Sequence, residues 1–189
     1  MILFKRILSQ LHRYVVWALV SALICGFVFF RVTDAKKEKK ITIYARVPSV
    51  SCEELSLELE KNKPEGIKLI NVHHFSYDLF GMDVFESGDV FIISKSDAEL
   101  YRANLCEIAG RGENDLIIDG KVCGWLFYDA ESRSCPASSY FDFTFYEGDG
   151  YANEDYYICF NKDSVHIGDI NGSADDAAIQ TAEHLLSLK

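Results

Sequence analysis

The hydrophobic pattern divides the chain sharply. From Tyr14 to Phe30 it runs 17 residues without a charge, near the short end of the roughly 17–25 residues a bilayer-spanning helix needs. A transmembrane anchor is therefore expected over 14–32, with a short basic segment (1–13) before it and a basic linker (33–40) after it. A cleaved signal peptide competes, because Lys5, Arg6 and Arg13 form a basic leader. The far end, Phe27-Val28-Phe29-Phe30-Arg31, offers no small-x-small cleavage site, and Ile24 before Cys25 is too bulky for lipoprotein processing. An uncleaved anchor fits better.

Beyond residue 40 the pattern changes to short alternating elements. Ile41 to Val47 is a β-branched run stopped by Pro48, hence a strand and a turn. Ser49 or Ser51 can cap a helix that carries Glu53 and Glu54 in its first turn and Leu55 and Leu59 on one face, and that ends at Asn62 to Gly66. Ile67 to His73 reads as a second strand. Val90 to Ser94 is a continuous apolar run of the kind buried on both faces. Ser94 or Ser96 then starts a short helix, with Leu100 and Tyr101 expected on its inner side. This strand–helix–strand rhythm predicts an α/β domain over 41–189, a mixed, largely parallel sheet flanked by helices. The middle is aromatic: Lys121 to Asp129, Tyr140 to Tyr146 and Tyr156 to Lys162 read as strands, either added antiparallel to the sheet or forming a small lobe. At the C-terminus Asn171-Gly172 turns the chain, Ser173 and Asp176 form a capping box, and Ala174, Ala177, Ala178, Ala182, Leu185 and Leu186 make one apolar face.

Charge follows the same division. Residues 1–40 hold 8 basic and 2 acidic residues, whereas 41–189 hold 11 and 27, so a net +6 precedes a net −16. An acidic module of this kind is unsuited to nucleic acid. Its aromatic and branched content excludes disorder. Arg31, Lys36, Lys37, Lys39 and Lys40 after the span outnumber Lys5, Arg6 and Arg13 before it, which leans weakly towards a cytoplasmic domain. Large domains translocate regardless of charge, however, and the resemblance described next favours export to the extracytoplasmic side. The lysine run itself reads as a solvated linker within reach of anionic lipid heads.

Three stretches carry a family likeness: Lys40-Ile41-Thr42-Ile43-Tyr44; Asp83-Val84-Phe85 with Gly88 to Ser94; and Tyr156 to His166, followed by Asn171-Gly172-Ser173-Ala174-Asp175-Asp176-Ala177-Ala178. In these the chain resembles the extracytoplasmic solute-binding proteins of ABC importers, of the type II periplasmic-binding-protein class. Those proteins have two lobes with solute held between them. Here Ala109 to Asn161 occupy the place of a second lobe, so the likeness covers about one lobe. It implies a membrane-anchored, non-enzymatic module that captures a small polar solute without cofactor or metal. The alternative is an interaction or accessory subunit for a membrane-protein partner, without solute binding. Ligands of open α/β sheets sit at the carboxyl ends of the strands. Tyr44, Ser76, Tyr77 and Ser94 are therefore candidate contacts from strand ends and following loops, with Trp125 and Tyr128 from the aromatic middle.

Other chemistry is sparse. Five cysteines lie outside the anchor; Cys123 and Cys159 fit core strands, and Cys106 with Cys135 is a candidate loop bridge. No CxxC pair occurs. His73 and His74, being adjacent at a strand end, point to opposite faces and suit no single metal site. His166 and His184 have no nearby ligand set. Glu147, Asp149, Asn153, Glu154 and Asp155 form an oxygen-rich loop whose spacing does not fit an EF-hand, so a solvated loop is the simpler reading. Trp125, Phe127, Tyr128, Tyr140, Tyr146 and Tyr151 fit either an aromatic platform for a ligand or a core.

Overall fold

A computed structural model describes residues 13–26, 35–75, 82–144, 150, 152–168 and 176–188. The chain divides into two units, Met1–Lys36 and Lys37–Lys189. In the first, residues 13–26 form helix α1. Its large apolar side chains are all solvent-facing, from Val20 at 37% to Leu23 at 73% exposure. Among the described residues no helix is long and apolar enough to cross a membrane; residues 27–32 of the expected span lie outside them.

The second unit runs β1 (Lys40–Ala45), β2 (Ser49–Val50), α2 (Cys52–Lys61), β3 (Leu69–His74), α3 (Met82–Ser87), β4 (Val90–Ser94), α4 (Lys95–Leu100), β5 (Leu116–Ile118), β6 (Lys121–Tyr128), β7 (Phe141–Asp142), β8 (Tyr156–Phe160) and α5 (Ala177–Ser187). Six strands form one sheet in the order β3-β1-β4-β8-β6-β5, and β2 pairs separately with β7. The sheet is mixed. It is parallel across β3, β1 and β4, and antiparallel from β4 outward through β8, β6 and β5. The aromatic middle thus supplies β6 and β8, added antiparallel to the sheet, rather than a small lobe.

Alternation along the central strands explains the layers. Val90 and Ile92 of β4 and Ile158 and Phe160 of β8 face a core closed by Leu55 and Leu59 of α2 and Ala178, Ala182 and Leu185 of α5. Phe91, Ile93, Tyr157 and Cys159 face the opposite core, closed by Val84 and Phe85 of α3 and Ala98 of α4. Every residue of β4 and β8 is buried, hence their unbroken apolar runs. The alanines of α5 bring little side-chain bulk into this core.

Several local expectations shift. Helix α4 turns Asp97 and Ala98 inward, and Leu100 is 70% exposed. The described part of α5 begins at Ala177 with Asp176 in the N-cap position, and Ser173 lies outside the described residues. Of the strand expected over Tyr140 to Tyr146, the described residues form Phe141–Asp142, with Phe141 and Phe143 turned into the core against Phe127 (ring centroids 4.8 and 6.3 Å); Phe145 and Tyr146 lie outside the described residues. Strands β2 and β5 and helix α3 are not among the expected elements. Asp119 and Gly120, at φ 53° and 81°, form the tight turn that joins β5 to β6.

Candidate functional site

Three polar constellations in the second unit merit comparison. The first lies at the carboxyl ends of β1 and β4, where the strand-end candidates were expected. Ser94 is 3% exposed, and its hydroxyl accepts the Asp97 amide at 3.3 Å, capping α4. Asp97 in turn accepts Arg46 Nη1 at 2.8 Å, in an ion pair whose side chains are 10% and 13% exposed. Burial pushes the Asp97 carboxyl up, and the Arg46 guanidinium pulls it back. The Ser96 amide and hydroxyl donate to Glu154 at 3.2 and 3.1 Å, and the Ala130 amide donates to Asp155 at 2.9 Å. These oxygens hold loops together. Ser76 and Tyr77 lie outside the described residues. Tyr44 is half-buried, with its ring stacked on His73 (5.4 Å) and its hydroxyl sharing a 3.0 Å hydrogen bond with Ser87. His74, on the other side of β3, bonds the Val47 carbonyl through Nε2 at 2.7 Å.

The second constellation is a buried knot at the opposite end of the sheet, where β4 begins and β8 ends. Asp89, 1% exposed, accepts the Thr42 amide at 2.8 Å and the Ser164 hydroxyl at 2.5 Å. The His166 amide donates to Ser164 Oγ at 3.0 Å, while the His166 ring bonds the Lys37 and Lys40 carbonyls through Nε2 at 2.9 and 3.0 Å. Asn161 Nδ2 donates to the Phe85 and Gly88 carbonyls, closing the end of α3. An aspartate, a serine and a histidine meet here, but not in a nucleophilic arrangement. The hydroxyl proton goes to the carboxylate, the imidazole faces carbonyls, and all three side chains are buried. Burial is the largest influence on Asp89 and pushes its carboxyl up, against the opposing pull of the Ser164 and Thr42 donors.

The third surrounds Trp125. The indole is 4% exposed, its Nε1 donates to the Ala109 carbonyl at 2.9 Å, and it packs edge-on to Phe160 at 5.2 Å. The Arg111 guanidinium lies 4.8 Å from the ring centroid, in cation–π range, and 3.7 Å from Glu183 on α5. Asp115 fixes the intervening loop by accepting the Arg111 and Gly112 amides at 2.5 and 3.0 Å. Two recesses meet at this ring. One, of about 110 Å³, is lined by Glu107, Ile108, Ala109, Ile167, Gly168, Asp176 and Ile179 as well as Trp125. The other is open, about 530 Å³, and combines apolar Trp125, Leu126 and Leu186 with Arg111, Glu113, Asn114 and Asp115. Sequence reasoning had singled out Trp125 but missed the 107–115 loop. That loop has no periodicity, and Arg111 between glycines was its one signal.

The remaining candidates are structural in what they touch. Tyr128 is 2% exposed and stacks on Phe143 with centroids 4.0 Å apart. Phe127 and Tyr156 join the same cluster, so the described aromatics of the middle segment are core; Tyr146 and Tyr151 lie outside the described residues. Cys106 and Cys135, the candidate bridge, are free thiols. Burial pushes both up to about 11, and pushes Cys52, Cys123 and fully buried Cys159 up as well, so all five are thiols at neutral pH. Among the described residues no group of three or more His, Cys, Asp or Glu side chains is placed to hold a metal ion. No protein-family model matches the chain, and no curated protein is found similar to it.

Proposed function

We propose that this chain is a membrane-anchored, extracytoplasmic binding module, one solute-binding-type lobe that captures a small polar solute without covalent chemistry. The observation that carries the reading is the open recess at Trp125. It joins an apolar wall to a few placed polar groups (Arg111, Asn114, Glu113), the lining a small-molecule site uses, and its volume lies within the usual range of about 300–1,000 Å³. The solute site thus moves from the strand ends, where Ser94 and Asp97 are committed to internal bonds, to the sheet's outer part. Use of the middle segment as outer strands and core supports a single lobe over a two-lobed clamp. For the tether, the support is α1, whose apolar side chains from Tyr14 to Ile24 stand exposed, together with the uncharged run through Phe30.

The alternative, an interaction subunit without solute, draws on one specific feature. Strand β5 lies at the sheet's edge with Ile117 64% exposed, the kind of edge to which a partner's strand adds.

A thermal-shift screen of the full chain in detergent, against sugars, amino acids, short peptides and divalent cations, separates the two. A solute at about 100 times its dissociation constant adds about 2.7 kcal/mol. In a domain of this size that is a rise of roughly 5–10 °C. Asn114→Ala, at an exposed position, should abolish the rise with the ligand-free midpoint kept within about 2 °C; Arg111→Ala, which also removes the contact with Trp125 and the Glu183 pair, should abolish it and lower that midpoint by about 2–4 °C. A flat response to every class, or a rise unaffected by these variants, refutes the site.

A further inference from the structure

The fold gathers lysines at the end of the sheet where β1 begins. Strands β1 and β3 pair in parallel with Lys40 opposite Leu69. That register brings in Lys68, whose amide donates to the Lys39 carbonyl at 2.8 Å. Lys63 Nζ reaches the Lys68 carbonyl, also at 2.8 Å. Lys37 bonds the Glu86 carbonyl through Nζ at 2.8 Å, and His166 pins the entering segment through the Lys37 and Lys40 carbonyls. Lys37, Lys39, Lys63 and Lys68 are exposed and Lys40 is half-buried. The carboxylates at this end are exposed Glu38, Glu65, Glu86 and Asp163, with Asp89 buried among its own donors. With exposed Lys162, six lysines against four exposed carboxylates make a basic end on a domain whose residues 41–189 carry net −16.

We propose that this lysine end docks on anionic phospholipid headgroups of the membrane that holds the chain, an inference that rests on the tether in the proposed function. Only six residues lie between Phe30 and Lys37, and those seven residue steps reach at most about 25 Å when fully extended. A tether ending at Phe30 therefore keeps the lysines near the headgroups at high effective concentration. The charge layout favours a bilayer over nucleic acid. A flat anionic surface meets the basic end alone, whereas a polyanion long enough to wrap the domain meets its acidic remainder. Each lysine close to an anionic surface strengthens attachment about fivefold, about 1 kcal/mol.

The test uses the full chain reconstituted into vesicles of phosphatidylcholine alone, or with about one-third phosphatidylglycerol. Amide hydrogen exchange is followed at residues 37–40 and 63–68. These amides should exchange more slowly on the anionic vesicles in about 0.1 M salt, and lose that protection in about 1 M salt. Lys39→Gln with Lys68→Gln should weaken docking about 25-fold with an unchanged thermal midpoint. Equal exchange on both vesicle types overturns the proposal, as does protection indifferent to salt or to the two substitutions, or binding to duplex DNA as strong as to the anionic vesicles. The tether is read separately. Release of the chain from neutral vesicles by a high-salt wash refutes the anchor, and anionic protection in that same preparation still supports the basic end.

Discussion

Asp89→Ala probes the knot that ties β1, β4, α3 and the 161–166 segment together. The substitution leaves the Thr42 amide and the Ser164 hydroxyl without their acceptor, at donor distances of 2.8 and 2.5 Å. Two orphaned buried donors cost about 1–3 kcal/mol each. Part of that is offset because a carboxylate no longer has to be desolvated, so the net loss at pH 7 should be about 3 kcal/mol. Asp89→Asn keeps an acceptor for Thr42 but turns an NH₂ towards Ser164, whose oxygen already takes the His166 amide at 3.0 Å; its loss should be about 1 kcal/mol. The pH dependence has a definite sign. Burial raises the native carboxyl above its usual 3.8. Between that value and the native one, the folded state therefore holds a proton that the unfolded chain has released. The contribution is fully present below 3.8 and is lost as pH rises through the native value. Urea denaturation of the full chain in detergent, followed by circular dichroism, should show the gap between native protein and Asp89→Asn widening as pH falls from 7 towards 4. A loss under about 1 kcal/mol for Asp89→Ala, or a gap that narrows on acidification, refutes the reasoning.

Three further outcomes follow from single contacts. Gly124→Ala places a Cβ 2.8 Å from Cys159 Sγ and 3.2 Å from the Ile158 carbonyl, so it should cost about 1–3 kcal/mol in denaturant melts, whereas Gly112→Ala, with nothing within 4 Å, should stay within about 0.5 kcal/mol. Arg46→Met strands Asp97 in a pair whose side chains are 10% and 13% exposed and should cost about 3–5 kcal/mol, most of it recovered in the double variant with Asp97→Leu; no recovery would mean that the cost lies elsewhere. Cys106 and Cys135, held at about 11 against an ordinary 9.0, should alkylate with iodoacetamide at neutral pH roughly a hundredfold more slowly than an unperturbed thiol, as read by mass spectrometry, and equal rates before and after unfolding refute their burial.

The first half of the domain was legible because its signals are local and doubled. Strands β1, β3 and β4 and helices α2 and α4 each carried a β-branched or apolar run and a breaker or a cap. Ser94 followed by Asp97 three residues on is a cap that the sequence prints directly, and it forms. Where periodicity and burial separated, legibility failed. Leu100 extends the apolar pattern of α4 yet faces solvent, because Asp97 takes the inward position as Arg46's partner, 51 residues away in the chain. The Asp119-Gly120 turn was a readable hairpin signal, but the apolar run before it is only three residues long, Leu116 to Ile118.

The site was harder to read for a physical reason. A strand-end serine or aspartate looks the same in sequence whether its oxygen awaits a ligand or is already used by the fold. Asp97, Glu154 and Asp155 are all used, by partners 25 to 58 residues away in the chain. Aromatic residues carry the converse ambiguity. Trp125 and Tyr128 sit three apart on one strand and are almost equally buried, at 4% and 2% exposure, yet Trp125 borders the two recesses and Tyr128 lies within the aromatic cluster. The difference comes from what packs over each ring. Phe143 stacks on Tyr128 and seals it within the core, whereas Trp125 meets an irregular loop whose Arg111 covers the indole with a charge, not with a hydrocarbon. A guanidinium held by one exposed carboxylate at 3.7 Å is a weaker seal than a buried ring, since such exposed pairs contribute about 1 kcal/mol at most. The recess at Trp125 is therefore where a solute can displace part of the protein's own covering at the least cost, and Arg111 is the side chain that has to move.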